Sequence, residues 1–129
     1  REVITELEAI APTRAVFGNI DDKSLQIEFP ENAIFEIEGK KVWITHIGGY
    51  PPKYTTSIKK ALAEIQPDIF ICGHSHILKI QFDQKLNLLH LNPGAAGKHG
   101  FHKIRTMLRF SLDSGEIKNL EIIELGSRG

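Results

Sequence analysis

Apolar residues along the chain change their period several times, and each change predicts an element. Val3, Ile4, Leu7 and Ile10 recur at helical spacing with Glu2, Glu6 and Glu8 between them, a first helix closed by Pro12. Residues 14–17 read as a short buried strand ending at Gly18, and the polar residues 20–30 as loop. Residues 33–38 and 41–45 alternate with period two and turn back on each other at Glu38-Gly39-Lys40. Residues 47–54 hold two Gly and two Pro and must be loop.

Residues 55–66 carry the clearest helical pattern. Ile58, Leu62 and Ile65 form its apolar stripe, Thr55 or Thr56 caps it, and Pro67 stops it. The unbroken apolar run inside residues 68–72 predicts a strand buried on both faces. A hairpin of residues 77–82 and 86–91 follows, around Asp83-Gln84-Lys85, and then a Gly-rich loop over 92–102. Strands at 105–112 and 117–125 join through Asp113-Ser114-Gly115. This order predicts an α/β protein of layered sheets flanked by helices.

At 129 residues the chain fits a single domain over 1–129. Sixteen Lys+Arg balance sixteen Asp+Glu, so neither a polybasic nucleic-acid arm nor an acidic tail is indicated. One cysteine, Cys72, excludes an internal disulfide framework and a multi-Cys zinc module. No apolar run is long enough to span a bilayer and no leader opens the chain, so a cytoplasmic protein without a membrane partner is expected. The chain opens on Arg1 inside a helical pattern with no capping residue before it, which reads as a chain cut on its N-terminal side.

Candidate chemistry collects in four polar segments, each directly after an apolar strand. These are Gly18-Asn19-Ile20-Asp21, Thr45-His46-Ile47-Gly48-Gly49, Gly73-His74-Ser75-His76 and Leu91-Asn92-Pro93-Gly94-Ala95. Ligands bind at the carboxyl ends of strands in open α/β sheets, so the four predict one convergent site. In extended backbone His74 and His76 project to the same side, and neutral imidazole is a ligand for first-row transition metals. Each residue alone has a plainer reading. His46 can cap a strand, Asn19 can be turn chemistry, Asp21 and Asp22 solvated loop charges, Asn92-Pro93-Gly94 a simple turn. Cys72 reads as an inert core thiol, and Trp43 and Phe70 as core. Lys98, His99, His102, Lys103 and Arg105 read as a solvated rim, with phosphate contact the alternative.

In this order the four segments resemble the calcineurin-like metallophosphoesterase superfamily, most closely its small single-domain bacterial and archaeal phosphodiesterases. The resemblance covers nearly the whole chain and implies a four-layer α/β/β/α sandwich. It implies that Asn19, His46 and His74 bind one metal and His76 another, these four being the candidate catalytic residues. The implied cofactors are two divalent transition metals, Mn²⁺ first, with Fe, Zn²⁺ or Ni²⁺ as alternatives. The implied chemistry is phosphodiester or phosphomonoester hydrolysis by a hydroxide that two metals activate.

The sequence departs from the family pattern in three places. The leading Asp-x-His and Gly-Asp motifs, which supply a bridging carboxylate and most of one metal shell, are not in this sequence, so the fold is expected to be N-terminally incomplete and weakly active. Ile20 stands where many members place a proton-donating His, leaving a water, His99 or His102 for that role. Ile47-Gly48-Gly49 replaces a Gly-His pair. The partner expected is a phosphate-ester small molecule, not a specific nucleic acid, and an exposed sheet edge favours association between copies. The rival reading is a non-catalytic protein-interaction scaffold of the same fold, as in the retromer subunit.

Overall fold

The structure is a computed structural model that describes residues 2–18, 30–49, 51, 54–98 and 100–127. Asn19, Ile20, Asp21, Asp22 and His99 lie outside the described residues. The described elements are α1 (Glu2–Glu8), β1 (Asn32–Ile37), β2 (Lys40–Thr45), α2 (Thr56–Ile65), β3 (Ile69–Ile71), β4 (Lys79–Asp83), β5 (Leu88–Asn92), β6 (Ile104–Asp113) and β7 (Glu116–Ser127). One sheet has the order β1-β2-β3-β5-β4, and β6 pairs with β7 in a second. β2, β3 and β5 run parallel at the centre, with β1 and β4 antiparallel on the two sides.

Local sequence explains most of these elements. Glu38 and Gly39 both take positive φ (49° and 79°), as do Ser114 and Gly115 (51° and 85°), the backbone that two-residue hairpin turns demand. The two turns meet: the Ser114 amide donates to Glu38 Oε2 at 3.3 Å. Thr55 caps α2 by accepting from the Ile58 amide, and Gln66 ends it in left-handed backbone before Pro67. Asp83 Oδ1 accepts from the amides of Lys85 and Leu86 at 3.0 and 3.2 Å, so the β4–β5 connection is an Asx turn. Leu86 therefore sits in the turn, and β5 begins at Leu88, two residues later than the hydrophobic pattern predicts.

Strand alternation sorts the core into two faces. Trp43, Phe70, Cys72 and Leu88 pack against Ile58, Ala61, Leu62 and Ile65 of α2. Val42, Ile69 and Leu91 face the other way, onto Leu108, Phe110, Leu112, Ile117 and Leu120 of the second sheet. The α/β class predicted from the sequence is the class observed. Among the described residues α2 packs on one face of the mixed sheet and the second sheet on the other, while α1 leaves Val3 and Leu7 exposed. No described helix is long and apolar enough to cross a membrane.

One predicted strand does not form. Residues 14–17 run outside any ladder among the described residues. Phe17 donates its amide to the Pro30 carbonyl at 3.1 Å, and the Arg14 guanidinium lies 4.2 Å from the centre of the Phe35 ring. Ala15, Val16 and Phe17 are partly buried while Arg14 is exposed; a strand also needs a neighbouring backbone, which sequence periodicity does not report.

Candidate metal centre

The parallel pairing of β2 with β3 is what brings His46 to His74. Their last register pair is Ile44 with Ile71, and beyond it the Gly73 amide still donates to the His46 carbonyl at 2.8 Å. The loop leaving His46 hugs β3. A Cβ on Gly48 would lie 2.7 Å from both the Phe70 ring and Cys72 Cβ, so only glycine passes there.

His46 Nε2 and His74 Nδ1 end 3.3 Å apart, their rings nearly perpendicular at 81°. Cation–imidazole bonds of about 2.0–2.1 Å put two nitrogens of one tetrahedral shell about 3.4 Å apart, and of an octahedral one about 3.0 Å. The observed separation falls between these values, so the pair fits a shared transition cation. As neutral rings the two would instead share one hydrogen bond.

His74 adopts φ 71° and His76 φ 61°, left-handed backbone that non-glycine residues enter at a cost of order 1 kcal/mol each. The extended geometry used to place both imidazoles on one side therefore does not apply. His74 turns to His46, whereas His76 meets His102 edge-on with ring centres 5.3 Å apart. Buried Asn92 holds this conformation. Its Nδ2 donates to the Gly73 carbonyl (3.3 Å) and to Ser75 Oγ (3.2 Å), and its Oδ1 accepts from the Gly94 amide (3.0 Å). Asn92 thus serves as the clamp of the His-bearing loop. The signal for it was the Asn-Pro-Gly turn directly after a buried strand.

Asn19, the fourth candidate, lies outside the described residues. Among the described residues no group of three His, Cys, Asp or Glu side chains could hold a metal ion; four of the five described imidazoles come as two pairs, and the fifth, His90, lies apart. Two members of the predicted solvated rim prove structural. Arg105 donates to the carbonyls of Leu125 (2.8 Å) and Ala96 (3.4 Å), and His102 packs on His76. Lys98 and Lys103 are exposed, as a rim requires.

Beneath the site lies a buried polar chain that the sequence did not reveal. His90, fully buried, lies 3.5 Å from the Tyr54 hydroxyl through Nδ1 and 3.9 Å from Cys72 Sγ through Nε2. Burial, helped by the charge of Lys79 and opposed by Asp83, pushes the His90 imidazole down to about 4. Burial pushes the Cys72 thiol up to about 12 and also raises the Tyr54 phenol, which Asp83 and Cys72 raise further. All three groups are neutral near pH 7. Cys72 is accordingly the inert core thiol that its sequence context predicted.

Residues 1–115 match the model of the calcineurin-like phosphoesterase superfamily domain. A probable metallophosphoesterase of Methanothermobacter thermautotrophicus is 36% identical over 94 residues, 73% of this chain and 53% of that protein. The chain spans about half the length of this curated relative. A solved structure described as a novel archaeal phosphodiesterase superposes with TM-score 0.71 at 24% identity, over 96% of this chain and 76% of the other. Wild-type Vps29 of Entamoeba histolytica, solved with Zn²⁺, gives TM-score 0.66 at 20% identity, over 96% and 76%. At these identities the solved structures establish the shared fold.

Proposed function

Because this chain belongs to the calcineurin-like phosphoesterase superfamily, we propose that it is a metal-dependent phosphoesterase acting on a small-molecule phosphate ester. In this reading His46 and His74, with Asn19, hold one divalent transition cation, and His76 holds a second. The observation that carries it is the 3.3 Å approach of His46 Nε2 to His74 Nδ1 at the carboxyl ends of two parallel strands. Mn²⁺ is the first expectation, with Fe, Zn²⁺ and Ni²⁺ suited to the same nitrogen donors. Such cations, when bound, supply Lewis acidity toward the phosphoryl group and lower the pKa of water.

The chain's own residues orient these donors. The Gly73 amide fixes the His46 backbone, Asn92 fixes the loop that carries His74, and the two rings stand nearly perpendicular with their nitrogens 3.3 Å apart. Preorganised ligands avoid a conformational cost when metal and substrate arrive. The test is hydrolysis of bis(p-nitrophenyl) phosphate with Mn²⁺, with and without chelator. Chelator-sensitive turnover that His74→Ala abolishes supports the reading; turnover indifferent to both refutes it.

The likeness to Vps29 gives weight to the other reading, a non-catalytic protein-binding scaffold of the same fold. A scaffold would bind its protein partner equally well with His74→Ala, and neither form would hydrolyse esters.

A further inference from the structure

We propose that Thr106 of β6 is a positioning residue for the loop that carries His74, acting from the second sheet through Asn92. Its bearing on the reaction rests on the reading of His74 as a metal ligand.

Thr106 is buried and holds two carbonyls of one turn. Its Oγ1 donates to the Pro93 carbonyl at 2.7 Å, and its amide donates to the Ala95 carbonyl at 2.9 Å. Between those two residues lies Gly94, with φ 75° and so close to Thr106 that a Cβ there would overlap Oγ1. The Gly94 amide, held in this way, can only donate, and it donates to Asn92 Oδ1 at 3.0 Å. That contact decides which end of the carboxamide points where. Asn92 Nδ2 is left facing the Gly73 carbonyl and Ser75 Oγ, on the residues either side of His74.

The second sheet is irregular at this point. Arg105 pairs with Gly126 and Thr106 with Glu124, so Leu125 is the extra residue of a bulge in β7. Arg105 Nη2 donates to the Leu125 carbonyl at 2.8 Å while Nη1 reaches the Ala96 carbonyl at 3.4 Å. Successive side chains of a regular strand point to opposite faces, yet Arg105 and Thr106 both act on residues 93–96. A buried hydroxyl that needed only a partner would be satisfied by one carbonyl. Here a hydroxyl, an amide and a guanidinium all grip the segment that orients Asn92.

Thr106→Val keeps the shape and the amide but leaves the Pro93 carbonyl without the hydroxyl, and Thr106→Ser restores the hydroxyl. Long-range ¹H–¹⁵N imidazole spectra of the metal-free, ¹⁵N-labelled proteins read the effect at His74, whose Nδ1 lies 3.3 Å from His46 Nε2. The Nδ1 resonance of His74 should move in Thr106→Val and return in Thr106→Ser. In an Asn92→Ala background Thr106→Val should move it no further. A resonance that stays put in Thr106→Val, that Thr106→Ser fails to restore, or that moves again without Asn92 overturns the proposal. Calorimetric Zn²⁺ affinity on the same samples should fall at least about threefold in Thr106→Val, short of the roughly tenfold typical of groups bonded directly to a ligand. If His74 responds as expected but the wild-type protein binds no Zn²⁺, the metal reading fails and the positioning role of Thr106 stands.

Discussion

Asn92 donates through Nδ2 to the carbonyl oxygen of Gly73, 3.3 Å away, and so ties the end of β5 to the loop carrying His74 and His76. With its second donor contact on Ser75 Oγ and its acceptor contact from the Gly94 amide, this one carboxamide fixes two points of backbone and one side chain around the site.

Replacing Asn92 with Ala should cost about 1–3 kcal/mol in denaturant unfolding, because buried partners lose their hydrogen bonds. The same change should lower Zn²⁺ affinity, since the turn around His74 then keeps the Ser75 amide bond to the Gly73 carbonyl but loses the Asn92 clamp on that carbonyl and on Ser75. Asn92→Asp keeps the acceptor for the Gly94 amide and loses the donors. It should fall between the two. Equal metal affinity in all three proteins would show that the clamp does not position the ligand.

Glycine 48 offers a packing test. Gly48→Ala puts a methyl group 2.7 Å from Phe70 and Cys72, both buried, and should lower stability by about 1–3 kcal/mol. Gly97→Ala meets nothing within 4 Å and should leave the melting temperature nearly unchanged. Similar melting temperatures for the two variants would mean that the loop after His46 does not pack on β3 as described.

His90 sets an acid limb. Its imidazole titrates near 4 in the folded protein, against about 6.5 in an unfolded chain. Between these values the unfolded state binds the proton and the folded state does not, so stability falls as pH drops through that window. The contribution is complete above about pH 6.5 and is of the order of 3 kcal/mol. His90→Leu should flatten this part of the stability–pH curve. An unchanged slope between pH 6.5 and 4 would contradict the assignment.

Cys72 is 2% exposed, and its thiol is held protonated up to about pH 12. Native protein at pH 8 should therefore resist iodoacetamide, with labelling appearing only on unfolding. Rapid native labelling would show that the buried chain from Tyr54 through His90 to Cys72 opens to solvent.

What the sequence disclosed follows from how local each feature is. The Glu38-Gly39 turn, the α2 stripe with its Thr55 cap and the two-faced run at 69–71 depend on neighbours in the chain, and all are present. The strand expected at 14–17 depended on a remote backbone partner, and no ladder forms there among the described residues. The meeting of His46 with His74 was expected because both follow strands, and parallel neighbours place strand ends side by side. The pairing of His76 with His102 was not legible, because it depends on left-handed backbone at two histidines and on a loop returning from residue 100. His90 escaped notice for a related reason: inside a buried strand, its polar partners Tyr54 and Cys72 come from distant segments.

Sharing of one cation by the His46 and His74 nitrogens is visible by anomalous diffraction from crystals of the protein soaked in Zn²⁺. The expected peak lies about 2.1 Å from both His46 Nε2 and His74 Nδ1 and is lost in His74→Ala. Two imidazoles hydrogen-bonded to each other at full zinc load, with no peak between them, would contradict it.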